Sequence, residues 1–419
     1  MRLAKFLKFG TAILMALGSI AGGLQNRTAL AEIHTWHVAP LGSDITGDGT
    51  EANPFATIQH GIDSSSDGDT VLVYPGIYPE NINFNGRNIV VGSLFVTSGD
   101  DEYILQTVIN GNRAGHVVTF SSGETSAAML SGFTISNGYA QGETPLESSG
   151  GGISCYGSSP TLVHLQITGN EAVDEGGGKY FALCSPAIRD VIVANNLSNG
   201  GGGIRYSYGS VSLENVVVAY NRATGGGAGI QFYHSEGTIK NALVASNSGT
   251  TKGGGMQFDG CSPTFINVTV VGNWTSGHGG GMNVSYMSQP TLVNSIVWGN
   301  SPEQIYFDPQ WFGEAITVEF SDIQGGASGI ITNGLGPVIW GSGNLEASPR
   351  FVNAGLENFH LANDSPAIGA GKAAGAPPTD LESGPRPNPA GSNPDMGAYE
   401  NPLGLKYYLP ITHNADPLP

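Results

Sequence analysis

A lysine and an arginine stand where a regular apolar pattern is interrupted. Lys179 occupies a position that its sequence equivalents fill with Ile or Met, and Arg205 lies one residue further along in the next copy of the pattern. A lysine held in apolar surroundings gives up its proton more readily and can serve as a base. Next to a cation that steadies an enolate, such a base removes the proton beside a uronate carboxylate, which is polysaccharide lyase chemistry. If the local strand shifts, Lys179 instead snorkels and keeps its charge in water. A second set suits recognition. Tyr180, Arg205, Gln231, Gln257 and Asn283 fall in one column, Tyr233 and Asp259 in another, and Tyr208 and His234 lie beside the latter. Flat rings stack on sugars, and amides and carboxylates bond to hydroxyls. A third set, Asp44 and Asp48 in a Gly-rich loop, offers oxygen ligands for Ca²⁺ without the EF-hand spacing. A plain turn is the other reading of that loop. No further cofactor is required, and the cysteines and histidines form no zinc pattern.

The elements that must hold these residues come from a repeat. Six glycine runs close on Ile153, Lys179, Ile204, Ile230, Met256 and Met282, in steps of 26, 25, 26, 26 and 26. A period in this range specifies a solenoid. Two positions after each closing residue stand Cys155, Phe181, Tyr206, Phe232, Phe258 and Val284, so the first strand of a rung alternates inward and outward. Further inward columns are Leu162, Ile188, Leu213, Ile239, Phe265, Leu292, and Ile167, Val193, Val218, Val244, Val270, Val297. The expected fold is therefore all-β, a parallel β-helix with three short strands per rung of about 26 residues. Two polar columns mark the corners. One holds His164, Asp190, Asn215, Asn241, Asn267 and Asn294; the other holds Asn170, Asn196, Asn221, Asn247, Asn273 and Asn300. Asn tolerates left-handed backbone, and stacked amides bond to one another, so these columns read as structural ladders.

The pattern resembles the right-handed parallel β-helices of the pectin-lyase-like superfamily. In detail Gly151-Gly152-Ile153 and Val270-Val271-Gly272-Asn273 resemble the repeats of polymorphic outer-membrane proteins, with Val in place of the usual Phe. Phe351-Val352-Asn353, Ser365-Pro366-Ala367-Ile368, Arg386-Pro387 and Asp395-Met396-Gly397-Ala398-Tyr399-Glu400 are similar to the closing segment of choice-of-anchor Q proteins. These resemblances imply a bacterial, exported β-helix. They also imply polysaccharide lyase or hydrolase activity as one outcome, since many members of the superfamily act so.

Arg2, Lys5 and Lys8, an apolar stretch and Ala29-Leu30-Ala31 read as an export signal over residues 1–31. Its removal takes away four basic residues and no acidic one, moving the net charge from −18 to −22. Such a surface disfavours nucleic acid and anionic membranes. No later segment is apolar for long enough to span a bilayer. Residues 32–95 read as an N-terminal cap with the first rungs, and Phe55, Ile58 and Ile62 share one face of a short capping helix. Residues 96–318 carry the repeats, 319–402 the closing segment and 403–419 a tail. Cys184 and Cys261 share a column three rungs apart, roughly 14 Å at ~4.8 Å per rung, beyond disulfide reach. Cys155 reads as core, so no disulfide is expected.

Three readings of function follow. The first is a secreted or cell-surface monomer that binds extracellular polysaccharide or mediates adhesion, using Tyr180, Arg205, Tyr208, Gln231, Tyr233, His234, Gln257 and Asp259. The alternative is a carbohydrate-active enzyme, with Lys179 and Arg205 as the lyase residues; a hydrolase would want a facing carboxylate pair, and the strands offer few. Ice binding has one outward column, Thr161, Ala187, Ser212, Thr238, Thr264 and Thr291, but lacks the second threonine row it needs, since Arg189, Glu214 and Lys240 fall there.

Overall fold

The computed structural model describes residues 33–402. The expected export signal and the tail at 403–419 lie outside the described residues. Within them the chain is a parallel β-helix of about nine turns. A typical rung has a four-residue strand (Lys179–Ala182), an eight-residue strand (Ala187–Ala194) and a two-residue strand (Leu197–Ser198). Equivalent strands stack in parallel into sheets of 16, 10 and 6 strands. The register pairs Ile153, Lys179, Ile204, Ile230, Met256 and Met282 in sequence, as the glycine spacing predicts. Their neighbours two residues on form a stack inside the coil. Ring centroids run 5.0, 5.9 and 5.2 Å apart along Phe181, Tyr206, Phe232 and Phe258.

The three strands are not the three expected. The Leu162 column and the Leu165–Ile167 columns belong to one strand, Thr161–Thr168, bent at His164 (φ 52°). Asp190, Asn215, Asn241, Asn267 and Asn294 repeat that left-handed bend, which is why short polar side chains fill the column. The third strand follows the second asparagine column and is too short to show alternation in sequence. In that column the left-handed residue is the one before each Asn: Gly169, Asn195, Tyr220, Ser246, Gly272 and Gly299. The asparagines are there for their amides. Nδ2 of Asn196, Asn221, Asn247 and Asn273 donates to Oδ1 of the next Asn at 2.9–3.0 Å and also to a buried strand carbonyl. The ladder thus satisfies backbone groups that the corner removes from the sheets.

The helix Ile58–Ser64 caps the coil at its start, with Thr57 as N-cap and Phe55, Ile58 and Ile62 buried. The other end is irregular. After the strands Ile316–Glu319 and Val338–Trp340 the chain leaves the coil. It makes an antiparallel pair, Phe351–Asn353 with Asn358–Leu361, and folds back along the outer face of the long-strand sheet. There Phe359, Ala398 and Tyr399 cover Leu243, Ala245 and Val271, while Leu361, Ala367 and Met396 cover Ile296. Asn241, Asn267 and Asn294 donate into this strap, to Thr379, Asp395 and Lys372 carbonyls, so they dock a segment as well as turn a corner. The strap is itself pinned by Arg386, whose Nε lies 2.9 Å from Glu400 Oε2 with both side chains buried.

The cysteine expectation is corrected. Cys155 and Cys184 form a disulfide with Cα atoms 6.4 Å apart. Cys184 and Cys261 lie too many rungs apart to bridge, and the partner of Cys184 is Cys155 in the adjacent rung. Cys261 is free and buried.

Candidate functional site

Strand alternation sends Arg205, Gln231 and Gln257 to the outside of the four-residue-strand sheet, paired in register. Tyr233 and Asp259 follow two residues on, at the strand ends. These five form the floor and near wall of a recess of about 390 Å³. The rest of its lining comes from outside the strands: Lys252 from the loop before a glycine run, Tyr286 from a corner, and Gln310 and Trp311 from the loop after Ile305–Phe307. Of these four, Gln310 and Trp311 carry no periodic signal, whereas Lys252 stands directly before a glycine run, in register with Gly226 and His278. Tyr286 was within reach, because it continues the corner column of Tyr208 and His234, all three with left-handed backbone. Such a conformation is costly for bulky residues and recurs here along one edge of the recess.

The corner residues make a continuous aromatic wall. Tyr208 stacks on His234 at 5.2 Å and meets Tyr233 edge-on at 5.3 Å. His234 meets Tyr286 edge-on at 5.5 Å, and Tyr286 meets Trp311 at 4.6 Å. The floor is polar and densely paired at its rim. Arg205 Nη2 lies 3.1 Å from Glu175 Oε1, and its guanidinium sits 5.2 Å from the Tyr233 ring centroid. Lys252 Nζ lies 3.1 Å from Asp308 Oδ2. Asp259 accepts from Gln257 Nε2 at 2.8 Å and from the Ser285 hydroxyl. Burial pushes the Glu175 carboxyl upward, with Asp174 and Asp259 adding to the shift and Arg205 opposing it. Between these pairs stand polar atoms with no hydrogen-bond partner: Arg205 Nε and Nη1, Gln231 Oε1, Gln257 Oε1 and both amide atoms of Asn283. They occupy one column over four successive rungs. Buried polar atoms are rarely left so, and a row of them asks for water or ligand.

Of the recognition residues expected from sequence, Arg205, Gln231, Tyr233, Gln257 and Asp259 line the recess; Tyr208 and His234 back its aromatic wall; Tyr180 is buried beyond its end. The lyase pairing is not assembled. Lys179 is fully buried in register with core residues Ile153 and Ile204, neither snorkelled nor shifted, whereas Arg205 is on the outward side of the same sheet. Burial alone lowers the Lys179 amine to about 7, and its Nζ has no partner. At the N-terminal loop, Asp44 accepts from the Ala56 and Thr57 amides and from the Thr57 hydroxyl. Asp48 accepts from the Thr50 amide and hydroxyl. Both carboxylates hold turns, and among the described residues no group of three or more His, Cys, Asp or Glu is placed to hold a metal.

Fold and site together define a parallel β-helix with an aromatic-walled polar groove along one sheet. No protein-family model matches the sequence, and no curated protein does. Among solved structures the chain is similar to pectate lyase Pel9A, with 15% identity over 89% of this chain and 97% of that one, at a TM-score of 0.47. It is also similar to XylC in complex with xylose (9% identity, 87% and 98% coverage, TM-score 0.39). A third is the GH136 lacto-N-biosidase of Eubacterium ramulus (13% identity, 75% and 67% coverage, TM-score 0.27). None is close enough to lend this chain a substrate or a residue role.

Proposed function

We propose that this protein is exported and binds a polysaccharide in the groove over Arg205, Gln231 and Gln257, serving attachment or glycan capture outside the cell. The observation that carries the reading is a recess of about 390 Å³ that sets Arg205, Gln231, Gln257 and Asp259 beside an aromatic wall. Sugars supply both an apolar ring face and hydroxyls, and the groove offers partners for both. The Cys155–Cys184 disulfide suits an oxidising compartment. The resemblance of the repeats to polymorphic outer-membrane proteins, and of the strap to choice-of-anchor Q segments, supports a place at the cell exterior. Binding here requires no cofactor.

Affinity electrophoresis against a polysaccharide panel tests the reading. Trp311→Ala together with Tyr286→Ala is expected to weaken retention about tenfold or more, at ~1–2 kcal/mol or so for lost ring stacking. Unchanged retention with an unchanged melting curve removes this site. Catalysis at the same groove is the alternative, favoured by one observation: Glu175 holds its proton more tightly than usual and Asp259 lies near enough to contribute. A carboxyl with a raised pKa near a second carboxylate is a feature that glycoside hydrolases use. Release of reducing ends from the same panel, lost in Glu175→Gln, distinguishes it from binding.

A further inference from the structure

We infer that the groove takes an uncharged, hydroxyl-rich glycan and discriminates against uronates. This rests on the binding reading above and names its ligand class.

The two cations lining the recess are already matched, Arg205 by Glu175 and Lys252 by Asp308, each at 3.1 Å. Asp259 is left over. Its oxygens accept from Gln257 and from Ser285, both neutral. An entering carboxylate therefore meets the Asp259 carboxylate and no cation that lacks a counter-ion. Like charges placed together are how a site rejects a competitor. The net charge of −18 over the whole chain adds to the repulsion at longer range.

The hydrogen-bond inventory agrees. The orphan groups among the recess-lining residues are donors at Arg205 Nε and Nη1 and acceptors at Gln231 Oε1 and Gln257 Oε1. A hydroxyl both donates and accepts, so a row of sugar hydroxyls can satisfy the mixture. A uronate keeps its ring hydroxyls but trades one donor-acceptor group for an acceptor-only carboxylate, so it is the poorer match wherever that group faces an amide oxygen. The aromatic wall of Tyr286 and Trp311 then supplies the surface for a ring face, which both sugar classes possess and which does not discriminate between them.

The test uses the full-length protein and hexasaccharides of defined charge: cellohexaose, xylohexaose and mannohexaose as neutral probes, hexagalacturonate and hexamannuronate as acidic ones. Titration calorimetry at about 50 mM and about 500 mM salt should show at least one neutral probe binding with little salt dependence, and the uronates about tenfold weaker or worse at low salt. Salt should narrow the gap, because it screens repulsion. Asp259→Asn should improve uronate binding and shrink the salt effect, with a melting curve like that of the parent. A uronate that binds more tightly than every neutral probe, with affinity falling as salt rises, overturns the inference and leaves the binding reading standing. Failure of all five probes and of the polysaccharide panel removes the binding reading, and this inference with it.

Discussion

Replacing Lys179 by Met should make the protein more stable, and by an amount that depends on pH in a stated way. The ammonium is buried with no partner, in a column whose other members are Ile and Met, and the coil already accepts Met256 and Met282 there. Burial lowers the amine from 10.5 to about 7. In the unfolded chain the lysine is charged up to its ordinary range; in the folded chain it is charged only below about 7. The unfolded state therefore holds the extra proton between those limits, so stability rises with pH across that window and is flat below it. At ~1.36 kcal/mol per pH unit the folded state carries a penalty of roughly 4–5 kcal/mol at pH 6, roughly 3 at pH 8 and about 1 at pH 10. Lys179→Met removes that penalty while keeping a similar unbranched shape. Urea denaturation of parent and variant at those three pH values measures it. The variant should gain most at pH 6, and the two should come within about 1 kcal/mol of each other by pH 10. A variant less stable than the parent, or a gain that stays constant with pH, refutes the placement of a partnerless amine inside the coil.

Two further outcomes follow from other buried groups. Asn247→Ala removes the ladder bonds to Asn221, Asn273 and the Val218 carbonyl and takes from the buried Asn221 backbone N–H its acceptor; a loss of about 3–5 kcal/mol is expected by chemical denaturation, and a loss below ~1 kcal/mol would count against the ladder. Asp322 is fully buried, and burial raises its carboxyl to about 7 against the opposing pull of the Ala347 amide. Its folded value is above its unfolded one, so its contribution is complete below about 4 and fades as pH rises towards 7; Asp322→Asn should flatten that acid-side slope in thermal melts, and an unaltered slope would place the titration elsewhere.

The periodic part of this molecule was legible because its physics is periodic. A side-chain alternation of two, carried on a rung of nearly constant length, fixes both which residues face inward and which ones stack, and the pairing of Ile153 through Met282 follows. The same logic placed Arg205, Gln231, Tyr233, Gln257 and Asp259 on one face. Much of what escaped has no period. Gln310 and Trp311 reach the recess from a loop, where spacing carries no register. The disulfide joins two positions at different points of neighbouring rungs, 29 residues apart, and comparing like columns cannot find it. The strap did leave a trace in the sequence: Val217, Leu243, Val271 and Ile296 are apolar at places that face away from the core, and an outward apolar row on a sheet calls for a cover.

That cover also sets an order of assembly. Rungs can form one after another, each needing little more than its predecessor. The strap is different, because its bonds run from Asn241 and Asn267 to residues near 379–397, more than a hundred positions later. In a chain that emerges amino end first, the coil exists before its own seal does. For that interval Leu243, Val271 and Ile296 form an open greasy seam on a finished cylinder. The moment of greatest risk for sticking to a second copy is thus the penultimate step of folding, and the residues that end it are the last described ones of the chain.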